Sequence, residues 1–143
     1  MKALSVAEMQ NLALELKTLE GARLQEIRFS PPLLFLGFFI SGDLRWLGFD
    51  LNPVSPQVLG LENLAGLQLK DEKKPVVLFL RAHFVDLRLA EVVAPLELGR
   101  VLIFKFGSDT SRGQSELEVR LFPRGQNVLV RAQGKELALA KPL

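Results

Sequence analysis

The chain has 143 residues, a formal net charge of +2, 48% hydrophobic and 24% charged residues, which fits one globular domain with an ordinary core. It holds no cysteine and one histidine, so disulfides, thiolate metal sites and His-rich zinc sites are excluded. The charge is uneven: residues 1–72 carry 6 Lys+Arg against 9 Asp+Glu, whereas residues 73–143 carry 12 against 7. Such a basic half points either to a polyanionic partner or to ordinary charged strand surfaces.

The opening residues lack the long apolar core of a signal peptide, and the longest early apolar run, residues 33–40, is far short of the roughly 20 that a membrane helix needs. The expectation is a soluble cytoplasmic protein with no membrane partner. Ser5 and Glu8 have capping-box spacing, and Met9, Leu12, Leu16 and Leu19 follow at helical spacing until Gly21, which predicts an amphipathic helix over residues 6–20. Residues 22–30, 33–40 and 44–49 read as a three-stranded antiparallel meander, broken by Pro31-Pro32 and by Ser41-Gly42-Asp43. Trp46 either packs on that sheet or is exposed for stacking.

Between residues 50 and 74 the pattern breaks up, and Ser55-Pro56 offers a cap and a first position for a short helix. Residues 73–106 then combine buried-type residues with cations more densely than any other stretch. Val76 to Leu80 are apolar on every side, as in a strand or a buried helix, and Pro75 tips the reading to a helix over residues 75–85 packed beside the first one. Residues 88–94 and 101–106 form a hairpin around 95–100, and 116–122, 127–132 and 136–140 supply further strands. The polar loop 107–115 has a composition that predicts mobility. About eight strands and two helices make an α+β class, an antiparallel sandwich or half-barrel with helices at an end or edge.

Several segments, in order, resemble the N-terminal domain of the NFACT family, which includes the bacterial RqcH or FbpA fibronectin-binding protein homologues and eukaryotic NEMF. LKTLEGARLQEIRFS is similar to the family's first helix end and Gly-Ala-Arg strand, LRWLGFDLNP to its third strand, KKPVVLFLRAHF to its Leu-Arg-Lys-His helix, and ELEVRLFPRGQNVLV to its later hairpin. The likeness spans nearly all 143 residues through loose motifs in the right order. It implies a sandwich related to the N-terminal domain of Fpg/Nei-type DNA glycosylases. Those enzymes use an N-terminal proline amine as nucleophile, and this chain begins Met1-Lys2-Ala3, without it.

The resemblance further implies a role in ribosome quality control, with tRNA and the large ribosomal subunit as partners. It also implies that residues 1–143 are one domain of a longer protein or a reduced relative. An Asp-Arg pair marks the family's second hairpin strand; here Arg100 matches and Gly99 replaces the aspartate. Arg100 is therefore either a phosphate- or base-contacting residue or a solvated turn residue. Arg81 and His83 fall on the family's basic helix, where a lone histidine is more often structural than catalytic. Arg88 and Arg124 complete the candidate nucleic-acid set, and Arg120, Arg124 and Arg131 form a basic stripe if the hairpin turns them to one face. Paired carboxylates, phosphate loops and nucleophile elbows are missing, so the expectation is a non-catalytic domain without cofactor, metal or small-molecule substrate. Two readings follow: an RNA-binding module, or a structural or protein-interaction domain that lost the RNA site with Gly99.

Overall fold

Ser5 closes a capping box in the computed structural model, which describes residues 4–107 and 115–139: its hydroxyl accepts the Glu8 amide at 3.1 Å, and the Glu8 carboxylate accepts the Ser5 amide at 2.9 Å. Helix α1 then runs Val6–Leu16 and buries Met9, Ala13 and Leu16. A single 3₁₀ turn, Lys17–Leu19, tightens its end, so the regular helix stops short of residue 20.

Four strands follow in an antiparallel sheet of order β1-β2-β3-β4: β1 Arg23–Ser30, β2 Leu33–Ile40, β3 Asp43–Asp50 and β4 Gln57–Leu61. The second sheet, after helix α2 (Pro75–His83), is also antiparallel, in the order β5 Leu89–Val93, β6 Val101–Phe106, β7 Ser115–Arg120, β8 Asn127–Ala132 and β9 Lys135–Ala138. Among the described residues, two α-helices and nine strands in two sheets form the expected α+β sandwich. Loop residues 108–114 and the strand end at 140 lie outside the described residues.

The sheets meet through aromatic rings. Phe38 of β2 stacks on Phe106 of β6 at 6.2 Å, Phe84 meets Phe106 edge-on at 5.4 Å, and Phe49 of β3 meets Phe104 edge-on at 5.7 Å. Both helices bury their apolar faces in this one core. Trp46 lies on the outer side of the first sheet with 8% exposure, over Gly37, where a Cβ would sit 3.0 Å from the indole.

Two expectations are corrected. Residues 57–61 are not a helix but β4, paired with β3 from Trp46↔Leu61 to Asp50↔Gln57. The Ser55 hydroxyl accepts from Gln57 Nε2 at 2.8 Å, and the Asn52 carboxamide accepts the Ser55 amide at 2.7 Å, so the motif builds a turn that aims the chain back along β3. The principal neighbours of α2 are β1 and β8, whereas those of α1 are β5 and β6, so the helices do not pack side by side as expected.

Strand β1 organises the site because its outer edge is closed by three different segments. The Ala22 and Leu24 carbonyls accept from Leu89 and Asp86, Ile27 O accepts from the Arg81 guanidinium at 2.8 Å, and Phe29 O accepts from Glu72 at 2.8 Å. An edge strand that would otherwise expose a row of unpaired carbonyls thereby holds α2 and the start of β5 against the first sheet.

Candidate nucleic-acid interface

Arg81 sits half-buried near the end of α2, fixed by its hydrogen bond to β1. His83 closes that helix with its ring 4.4 Å from Phe79, one turn earlier, an aromatic pair at helical spacing. Residues 84–87 lead to exposed Arg88, whose Nη1 donates to the Gly21 carbonyl at 2.9 Å. Arg81, His83 and Arg88 share one end of the molecule, beside Phe106 and the end of β6.

Arg100 and Arg124 occupy the other end. The Arg88 carbonyl accepts from Gly107, at the far end of β6 from Arg100, and the seven residue steps from Arg100 to Gly107 separate the two arginines by about 23 Å. Arg100 Nε donates to the Leu4 carbonyl, which ties the entrance of α1 to the sheet. Arg124 stands in the β7–β8 turn at φ 62°, with its amide donating to Pro53 O at 2.6 Å. The five candidates therefore form two groups.

Gly99 adopts φ +76°, a conformation that strains any L side chain. The backbone here thus suits the glycine that replaces the resembled aspartate.

The basic stripe does not form. On the outer face of the second sheet, Glu91, Lys105, Glu116, Arg131 and Glu136 stand in register across all five strands, alternating in sign. Arg131 donates to Glu136 at 3.0 Å, Glu116 at 3.1 Å and Glu118 at 2.9 Å; Arg120 donates to Glu118 at 2.7 Å, and Lys105 lies 3.7 Å from Glu91. Burial pushes the Glu118 carboxyl up, but hydrogen bonds from Arg120 and Arg131 outweigh it and hold the group below its usual range. For Arg131, burial acts downward, and the hydrogen bonds it donates to three carboxylates prevail and raise it. This face spends its cations on its own carboxylates.

The α2–β5 end differs. Among the described residues, no carboxylate lies within ion-pair distance of Arg23, Arg81 or Arg88, each of which is held by a carbonyl or amide oxygen instead. Asp71, held below the usual carboxylate range chiefly by its hydrogen bond from Arg28, also feels Arg81 at longer range. Arg23 was missed by sequence reasoning. It faces outward from β1, paired with Phe39 on one side and bridged to Arg88 on the other.

No family model matches the chain, and no curated protein matches it by sequence. Solved structures do. The N-terminal domain of fibronectin-binding protein PavA from Streptococcus pneumoniae superposes with a TM-score of 0.75 at 14% identity, covering 90% of this chain and 49% of that one. The N-terminal part of the fibronectin/fibrinogen-binding protein from Streptococcus suis gives 0.76 at 17% identity, covering 95% and 52%. The fold is that of these N-terminal domains. A fibrinogen-binding protein from Staphylococcus aureus shares it at 0.69 and 10% identity, covering 90% and 46%. The chain spans about half the length of each of these structures, and at such identities the likeness concerns the fold. Among the described residues, no helix is long and apolar enough to cross a membrane.

Proposed function

We propose that the chain is a divergent relative of the NFACT N-terminal domain and a non-catalytic, cytoplasmic RNA-binding module, with tRNA on the large ribosomal subunit as its partner. The observation that carries this reading is the unequal use of cations. The second sheet neutralises Lys105, Arg120 and Arg131 internally, while Arg23, Arg81 and Arg88 at one end are held by carbonyl or amide oxygens, with no carboxylate at ion-pair distance among the described residues. Cations so placed release counterions from phosphates on binding.

Titrating labelled tRNA at two salt concentrations tests the reading. With three phosphates neutralised, the slope of log affinity against log salt is about −2, so affinity drops roughly twentyfold between about 50 and 200 mM salt. No binding, or binding indifferent to salt, contradicts it.

A second reading, protein docking, is favoured by exposed apolar side chains at the opposite end. Val54, next to the Pro53 carbonyl that accepts from Arg124, is 72% exposed, and Leu96 and Leu98, on a 3₁₀ turn before Gly99, are 69% and 42% exposed. It also draws on the fibronectin and fibrinogen binding named for the fold neighbours. On this reading, immobilised chain retains fibronectin, and Leu96→Ser reduces the retention.

A further inference from the structure

Where β1 meets the start of β5, Arg23 and Arg88 stand directly opposite each other. The flanking hydrogen bonds, Leu89 N to Ala22 O at 2.8 Å and Leu24 N to Leu87 O at 2.9 Å, make this a non-hydrogen-bonded pair. That is the closer of the two antiparallel pairings, with Cα atoms about 4.5 Å apart. Like charges placed so are destabilising unless something between them carries the opposite charge.

Among the described residues, no protein group does so. The Arg23 Nε is buried without a hydrogen-bond partner, and the rest of its guanidinium reaches only Gln25 Oε1 at 3.2 Å. Both arginines line an open cleft of about 490 Å³, together with Glu20, Gly21, Phe39 and Ser41. That volume lies within the range of small-ligand sites. Glu20 is the one carboxylate lining it among the described residues, and it is engaged elsewhere: its Oε2 accepts the Val92 amide at 3.0 Å and lies 3.5 Å from Lys17 Nζ.

The third member of the row is aromatic. Phe39 pairs in register with Arg23, is 38% exposed, and has the Arg23 guanidinium 5.5 Å from its ring centroid. An aromatic face beside two arginines that line the same cleft suits a base and its phosphate better than a bare anion or an acidic peptide, neither of which uses the ring.

We propose that this seam binds one nucleotide unit of single-stranded RNA, its phosphate between Arg23 and Arg88 and its base against Phe39. The proposal rests on the RNA-binding reading above and names where that binding is centred.

The test is a titration of a short labelled oligoadenylate, and of an abasic ribose-phosphate chain of equal length, against wild type, Arg88→Gln, Arg23→Gln and Phe39→Leu. Exposed Arg88 makes Arg88→Gln the variant least able to disturb folding, and Lys105→Gln serves as a control on the neutralised face. Loss of Arg88 is expected to weaken oligoadenylate roughly fivefold and to reduce the salt slope by about one unit. Phe39→Leu should weaken oligoadenylate by roughly fivefold or more and leave the abasic chain unaffected. Arg88→Gln binding as tightly as wild type overturns the seam assignment while the RNA reading survives through other cations. Phe39→Leu without effect on oligoadenylate overturns the nucleotide assignment, as does preference for a polyglutamate peptide. Failure of wild type to bind any RNA overturns both readings.

Discussion

Phe106→Ala is expected to cost about 3–5 kcal/mol of folding stability, a large part of the roughly 5–15 kcal/mol that holds a domain together. Phe106 is fully buried and touches three elements: its own strand β6, β2 through Phe38, and the end of α2 through Phe84. Deleting the ring removes apolar surface that is shielded from water. It also leaves a cavity bounded by two aromatic rings on different elements, which cannot both close on it. Phe39→Leu, on the outer side of the first sheet, should cost less than about 1 kcal/mol. Urea unfolding followed by fluorescence of Trp46 measures both. Equal midpoints for the two variants would mean that the sheets are not joined through Phe106.

Arg131→Met carries the second large effect, about 2 kcal/mol at neutral pH, discounted because the side chain is 31% exposed. The arginine holds three carboxylates, of which Glu118 is nearly buried at 10% side-chain exposure. Its loss leaves Glu118 with the single hydrogen bond from Arg120. The pH dependence follows from the direction of the Glu118 shift. Its carboxyl is depressed in the folded protein, so the unfolded chain binds more protons as pH falls through the carboxylate range. The stabilisation is fully present above the unfolded value of about 4.3 and is lost as pH falls through the folded one. In the variant the folded value moves up, because burial now meets less opposition. The deficit of Arg131→Met should thus be largest near pH 7 and narrow below about pH 5. A deficit independent of pH would assign the loss to packing of the arginine stem instead of to its charge.

The helices were legible because their first turns decide them locally: Ser5 and Glu8 cap each other, and Pro75 stands at the first position of α2. The strands 33–40, 101–106 and 127–132 were legible from composition and turn residues alone. Strand β4 was not, since Ser55-Pro56 has the chemistry of a helix start, and only the exposed edge of β3 draws residues 57–61 into a sheet. The charge ladder was hidden for another reason. It exists only in the register of five strands, and a slip of one residue would send every member to the opposite face.

The candidate site was half legible. Arg81, His83 and Arg88 follow one another along α2 and into β5, so sequence proximity brings them to one end. Arg100 belongs to the same hairpin as Arg88, yet the length of β6 carries it to the other end. Arg23 carried no local signal: an outward-facing strand arginine resembles Arg28 or Arg45 until the edge of β1 closes on residues 86–89. Pairing distant in sequence created the one place, among the described residues, where two arginines face each other across paired strands.

RNA is proposed to meet the α2–β5 end and to leave the outer face of the second sheet bare. Amide chemical-shift mapping of the labelled chain during titration with tRNA tests it most directly. The predicted result is perturbation of residues 21–23, 39–42 and 81–88, weakening together as salt is raised, with the amides of 101–105 and 116–120 unmoved. Perturbation centred on residues 96–100 and 122–125, or spread along the ladder of Lys105 and Arg131, would contradict it.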